Sequence, residues 1–68
     1  MSVLEDPRVR RVNSGRYEVD GVWAVVYMPD AFQWRRSHMF EAGHGYWHDE
    51  LADALRTALS GAEHGAAA

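Results

Sequence analysis

The sequence contains no cysteine, no lysine and no long apolar run. Without cysteine the chain can form no disulfide, no zinc–thiolate site and no cysteine nucleophile. A membrane helix needs about 20 apolar residues in succession, and no run approaches that length. The first residues also lack the basic and apolar segments of a secretory signal peptide. We therefore expect a cytoplasmic protein with no membrane partner.

A strong positive charge is also missing, since the formal net charge is −3. Residues 1–40 contain six arginines and five acidic residues, a balance of +1, whereas residues 41–68 contain one arginine and five acidic residues, a balance of −4. A strongly basic field, which would make nucleic acid the default partner, is not present. Basic residues that are all arginine, with abundant alanine and glycine, are typical of a GC-rich genome such as that of an actinobacterium or its phages.

The length of 68 residues allows one small domain. A chain of about 60 residues buries only about 60% of its unfolded surface, and such domains usually depend on disulfides, metals or a partner subunit. With no cysteine, oligomerisation or a bound partner is the expected support. We predict a single domain over residues 8–60, preceded by a flexible lead-in at 1–7 and followed by a disordered tail at 61–68.

The chain is organised around an apolar run of β-branched and aromatic residues at 22–28, which predicts a buried strand. The preceding Asp20-Gly21 predicts a two-residue type I′ turn that pairs Val19 with Val22. Further strands are predicted at 9–12 and 17–19.

The second half of the sequence predicts one more strand and a helix. Residues 32–40 alternate imperfectly and favour a strand, with a helix as the alternative. From Tyr46 to Ser60, apolar residues recur at spacings of three and four, which predicts an amphipathic helix.

These elements predict an α+β fold: a small antiparallel β-meander of three to four strands followed by one C-terminal amphipathic helix packed on one sheet face. The order is similar to that of small sheet-plus-helix DNA readers, such as plant AP2 domains and integrase arm-binding domains, whose signature motifs this sequence lacks.

The predicted register leaves one sheet face without a helix. With Val19 opposite Val22, the helix covers the face of Ala24, Val26 and Met28, and the other face presents a row of apolar and aromatic side chains. The predicted interface on that face consists of Trp23, Val25, Tyr27 and, at its rim, Arg35. An apolar stripe with an arginine rim is typical of a protein interface. The alternative is that the chain itself buries the stripe.

We therefore expect a non-enzymatic binding module whose partner is itself, as a homodimer, or another protein. The second hypothesis is a nucleic-acid-binding regulator that uses an arginine and aromatic sheet face. Its candidate contacts are Arg10, Arg11, Arg16, Arg35 and Arg36. The acidic residues Glu18 and Asp20 nearby would weaken phosphate contact.

No catalytic, cofactor or metal site is predicted. His44-x-x-x-His48 has the spacing at which two helical residues could bind zinc, but the His-Glu-x-x-His motif is absent and surface or capping histidines are the simpler interpretation. The sequence has neither a nucleophile-elbow motif nor a glycine-rich phosphate loop. We expect no enzymatic activity.

Overall fold

In the described part of the chain, five strands form one antiparallel meander in chain order, and one α-helix follows them. The computed structural model describes residues 2–41, 43 and 45–67, with side chains described as far as residue 60. The elements are a short 3-10 helix (Val3–Glu5), β1 (Val9–Asn13), β2 (Arg16–Val19), β3 (Trp23–Met28), β4 (Gln33–His38), β5 (Tyr46–His48) and α1 (Leu51–Ala67). The predicted α+β class is confirmed, with five strands instead of three to four. Within the described ranges, no helix is long and apolar enough to span a membrane.

The turn between β2 and β3 determines which side chains share a face. Asp20 and Gly21 have φ values of 55° and 66°, and the Val22 amide donates to the Val19 carbonyl at 3.0 Å, as expected for a type I′ turn. However, Val19 pairs with Trp23, so Val22 is an extra residue and the predicted Val19–Val22 pairing is wrong. A slip of one residue exchanges the two faces of β3 relative to β2.

The core therefore lies on the face that carries Val19 and Val25, not on the face of Ala24, Val26 and Met28. Both valines are fully buried, and they pack against the apolar side of α1. That side consists of Leu51, Ala54, Leu55, Ala58 and Leu59, at the spacings of three and four that align side chains along one helix face. We call the face under α1 the covered face and the opposite one the open face.

The predicted helix start at Tyr46 is wrong, because Tyr46–His48 forms β5 and α1 begins at Leu51. Tyr46 pairs with Arg36 and His48 pairs with Trp34, so both point to the covered face while Trp47 points to the open face. Residues 33–38 are a strand, as predicted, and the helical alternative is excluded.

The two ends of the chain are partly described. Val3 contacts the hydrophobic core, and the 3-10 helix that contains it begins with a capping box between Ser2 and Glu5. The side chains of residues 61–68 lie outside the described part, so the predicted disordered tail there stays a prediction.

Candidate binding surface on the open face of the sheet

Side chains from all five strands contribute to the open face. One row crosses the sheet through Arg16, Val26, Arg35 and Trp47, because each of these residues pairs with the next across neighbouring strands. A second row consists of Arg10, Glu18, Ala24 and Ser37, and a third of Met28 and Gln33. The open face thus combines arginines with an apolar row along β3.

The charged residues of this face are three arginines and one glutamate, which leaves an excess of two positive charges. Glu18 accepts a hydrogen bond from Nη2 of Arg16 at 3.3 Å and lies opposite Arg10 across the strands. Arg35 forms no hydrogen bond or ion pair with the other described residues. The face therefore presents at least one guanidinium group whose donors are available to a partner.

Packing against Gly45 positions the side chain of Arg35. A Cβ added to Gly45 would lie 2.7 Å from Cγ and 2.9 Å from Cδ of Arg35, and it would also collide with Nε. Only a glycine leaves room for this side chain to lie across the start of β5. The position of Arg35 therefore depends on the absence of a side chain at residue 45.

The apolar centre of the open face lies on β3. Ala24 is only 5% exposed although no helix covers this face, because its short side chain lies among longer neighbours. Val26 and Met28 are half-buried beside it, and Trp47 on β5 is 48% exposed. Val26 and Met28 therefore remain partly accessible on β3, and Trp47 is exposed on β5, on the other side of Arg35.

Three of the four residues of the predicted interface lie elsewhere. Trp23, Val25 and Tyr27 are on the covered face, where Val25 is fully buried and Trp23 packs against the core. Tyr27 lies near the end of β3, with its ring edge-on to that of Trp34 at 5.2 Å. The prediction that this stripe lies on the uncovered face is wrong because of the one-residue slip at Val22. The chain buries the stripe only in part, since Val25 is buried whereas Tyr27 is 36% exposed. Of the set, only Arg35 lies on the open face.

The candidate nucleic-acid contacts divide between the two faces. Arg10, Arg16 and Arg35 share the open face, whereas Arg11 pairs with Tyr17 and Arg36 pairs with Val25 on the covered face. Sequence reasoning missed Trp47 as an open-face residue because it fits the helical spacing of Leu51 and Leu55. The short alternation of Tyr46-Trp47-His48 was the available signal for a strand.

Arg36 is the centre of a polar cluster at the margin of the covered face. Its side chain is 8% exposed, and its Cζ lies 4.8 Å from the Trp23 ring centroid and 4.4 Å from that of Tyr46. Its Nε donates to Nε2 of His48 at 3.2 Å, and Nδ1 of His48 lies 2.8 Å from Oδ2 of Asp53. Because Nε2 accepts, Nδ1 carries the ring proton and donates to the carboxylate. The cluster thus connects β4 and β5 to the first turn of α1.

Burial lowers the pKa of Arg36, while Tyr46 and Asp53 act in the opposite direction. Of the predicted histidine pair, His44 lies outside the described residues, and both ring nitrogens of His48 are engaged within the cluster. The described part of the chain contains no group of three histidine or acidic residues that could hold a metal ion.

A shallow acidic depression lies where β5 leads into α1. It is lined by Asp49, Glu50, Asp53 and Arg56. Asp49 accepts a hydrogen bond from Nε2 of Gln33 at 2.6 Å, which attaches this connection to the start of β4. The charge here is opposite in sign to that of the open face.

Comparisons of the chain with protein-family models, with curated proteins and with solved structures found no match.

Proposed function

We propose that the chain is a small, non-enzymatic, cytoplasmic binding module that contacts another protein through its open face. The supporting observation is the apolar row of Ala24, Val26 and Met28 on a sheet face that α1 does not cover. Arg10, Arg16 and Arg35 border this row, and Trp47 lies on β5 beyond Arg35. Tryptophan and arginine are the residues most often found at the energetic centres of protein interfaces.

The charge of the open face specifies the chemistry of the partner. Two copies of this face placed together would bring like charges into contact, which disfavours association. This argues against a homodimer formed through the open face. A different protein, with acidic side chains around an apolar centre, would complement both the arginines and the apolar row.

Site-specific photo-cross-linking in the native cells tests this function. A photoreactive phenylalanine analogue replaces Met28 on the open face, and the matched control carries it at Ser60, an exposed position on α1. We expect position 28, and not position 60, to cross-link one defined protein. With that partner purified, Trp47→Ser and Arg35→Glu should each weaken binding about fivefold or more, because interface tryptophans and arginines of this kind contribute about 1 kcal/mol or more. Identical cross-links from both positions, or unchanged affinity in both variants, would contradict the proposal.

Nucleic acid is the second candidate, because three of the five candidate arginines share the open face. Antiparallel strands can lie in a DNA groove, and an arginine face would contact phosphates. If Arg10, Arg16 and Arg35 each neutralise one phosphate, raising the salt concentration fourfold should weaken duplex binding about 40-fold. Replacement of all three by glutamine should abolish this dependence, whereas Arg56→Gln, on α1, should preserve it. Absence of binding to duplex and single-stranded DNA at low salt would eliminate this candidate.

A further inference from the structure

We propose that Arg36 and Trp23, at the margin of the covered face, form a binding site for one oxyanion, a carboxylate or a phosphate. The site is separate from the open face and independent of the function proposed for that face.

Arg36 leaves most of its hydrogen-bond donors without an acceptor among the described residues. A guanidinium group has five N–H donors, and the described residues provide a single acceptor, Nε2 of His48. No carboxylate of the described chain forms an ion pair with Arg36, because Asp53 contacts it only through His48. A cation that is 92% buried thus has no direct counter-ion, and its terminal nitrogens lack acceptors within the described chain.

Trp23 provides independent support for the site. Its Nε1 is buried and has no hydrogen-bond partner among the residues that the structure describes. Buried indole N–H groups usually find an acceptor, so this one is an exception that calls for an explanation. The ring of Trp23 lies against the guanidinium group, so both sets of unsatisfied donors belong to one cluster. The carboxylate of Asp53 in this cluster contacts His48 and not these donors, so the donors lack an acceptor oxygen among the described residues.

Charge and access favour an anion as the missing component. The lowered pKa of Arg36 means that burial disfavours its charged form more than Tyr46 and Asp53 favour it. An oxyanion beside the guanidinium would offset that cost through charge-assisted hydrogen bonds. Tyr46, whose ring centroid lies 4.4 Å from Cζ of Arg36, is 53% exposed, so the cluster reaches the protein surface there.

Nuclear magnetic resonance of the ¹⁵N-labelled chain tests the site. Inorganic phosphate and sodium acetate are titrated separately at constant ionic strength while the Arg36 Nε–H and Trp23 Nε1–H signals are followed. We expect saturable shifts of both signals with at least one anion. The anion that produces the saturable shifts shows whether the site binds phosphate or carboxylate.

Three variants determine whether the response belongs to this cluster. Arg36→Gln should weaken the affinity about tenfold or more, because it removes a charged hydrogen-bond donor. Arg56→Gln, which alters an exposed arginine on α1, should leave the affinity unchanged. If Arg36→Gln does not fold, Trp23→Phe removes the indole N–H alone and should still weaken binding. The inference is overturned if neither anion produces saturable shifts, or if the response persists unchanged in the folded Arg36 or Trp23 variant.

Discussion

At the scale of single residues, Phe32 combines an unfavourable backbone conformation with an exposed apolar side chain. It has a φ of 52° and an 80% exposed side chain at the end of the turn between β3 and β4. The left-handed conformation costs an L-residue about 1–2 kcal/mol, and the exposed ring recovers little of this through packing. A glycine adopts the same conformation without the steric cost, although it loses more backbone entropy on folding.

Phe32→Gly should therefore raise the free energy of unfolding by about 0.5–1 kcal/mol. Phe40→Gly is the matched control, because Phe40 is 77% exposed and does not have a positive φ. The control should lower the free energy of unfolding or leave it unchanged. Urea unfolding of the two variants measures the contrast, and equal destabilisation by both would contradict the strain argument.

Asp6 gives a prediction about pH at the same scale. The pKa of Asp6 is lowered chiefly by the side-chain hydrogen bonds from Arg8, at 3.1 Å from Nε and 3.0 Å from Nη2, and further by the backbone amide of Arg8. A carboxyl group with a lowered folded pKa stabilises the fold above its ordinary value of about 3.9, and this contribution is lost as the pH falls through the folded value.

Asp6→Asn should therefore be less stable than the wild type at neutral pH. The difference should shrink as the pH falls below about 4 and should vanish once Asp6 is protonated in both states. Urea unfolding of both proteins across this pH series measures it. A difference that does not change with pH would show that the carboxylate charge makes no contribution.

At the scale of elements, the sequence predicts the strands better than it predicts their faces. The β-branched and aromatic run identified β3, and Asp20-Gly21 identified the turn before it. Trp23 to Met28 is apolar at every position, however, so alternation does not show which side is buried. One extra residue, Val22, decides this, and its effect depends on packing against a helix that lies more than 25 residues away in the sequence. The three residues of β5 are likewise too few for a strand period to outweigh the helical spacing of the leucines.

Neighbouring valines on β3 provide a direct test of the register. Val25→Ala should lower the free energy of unfolding by about 2 kcal/mol, because it removes two methyl groups from the core under α1. Val26→Ala, on the open face, should lower the free energy of unfolding by less than about 1 kcal/mol. Both variants have the lower strand propensity of alanine, but only Val25→Ala also leaves a cavity. The register predicted from the sequence requires the reverse order. Urea unfolding of the two variants therefore distinguishes the two registers.

At the scale of the whole molecule, the two sides differ in charge. The net charge of −3 conceals an open face with an excess of two positive charges and an acidic depression at the start of α1. The sequence shows the imbalance between the two halves of the chain, but not that Arg10, Arg16 and Arg35 share one surface. Only the sheet register reveals this. The sequence therefore predicts the residue types of the candidate site, but not which residues lie together on one surface.

This charge distribution gives a prediction for the assembly state. The open-face arginines should keep the free chain monomeric, because two such faces repel each other while the apolar row between them favours contact. Replacing Arg10, Arg16 and Arg35 with serine removes the repulsion and keeps Val26, Met28 and Trp47. The triple variant should self-associate at concentrations where the wild type and the control Arg56→Ser remain monomeric, as measured by light scattering after size-exclusion chromatography. A wild-type dimer that Trp47→Ser converts to monomers would instead show that the open face binds a second copy of the chain, and that the arginines do not prevent its association.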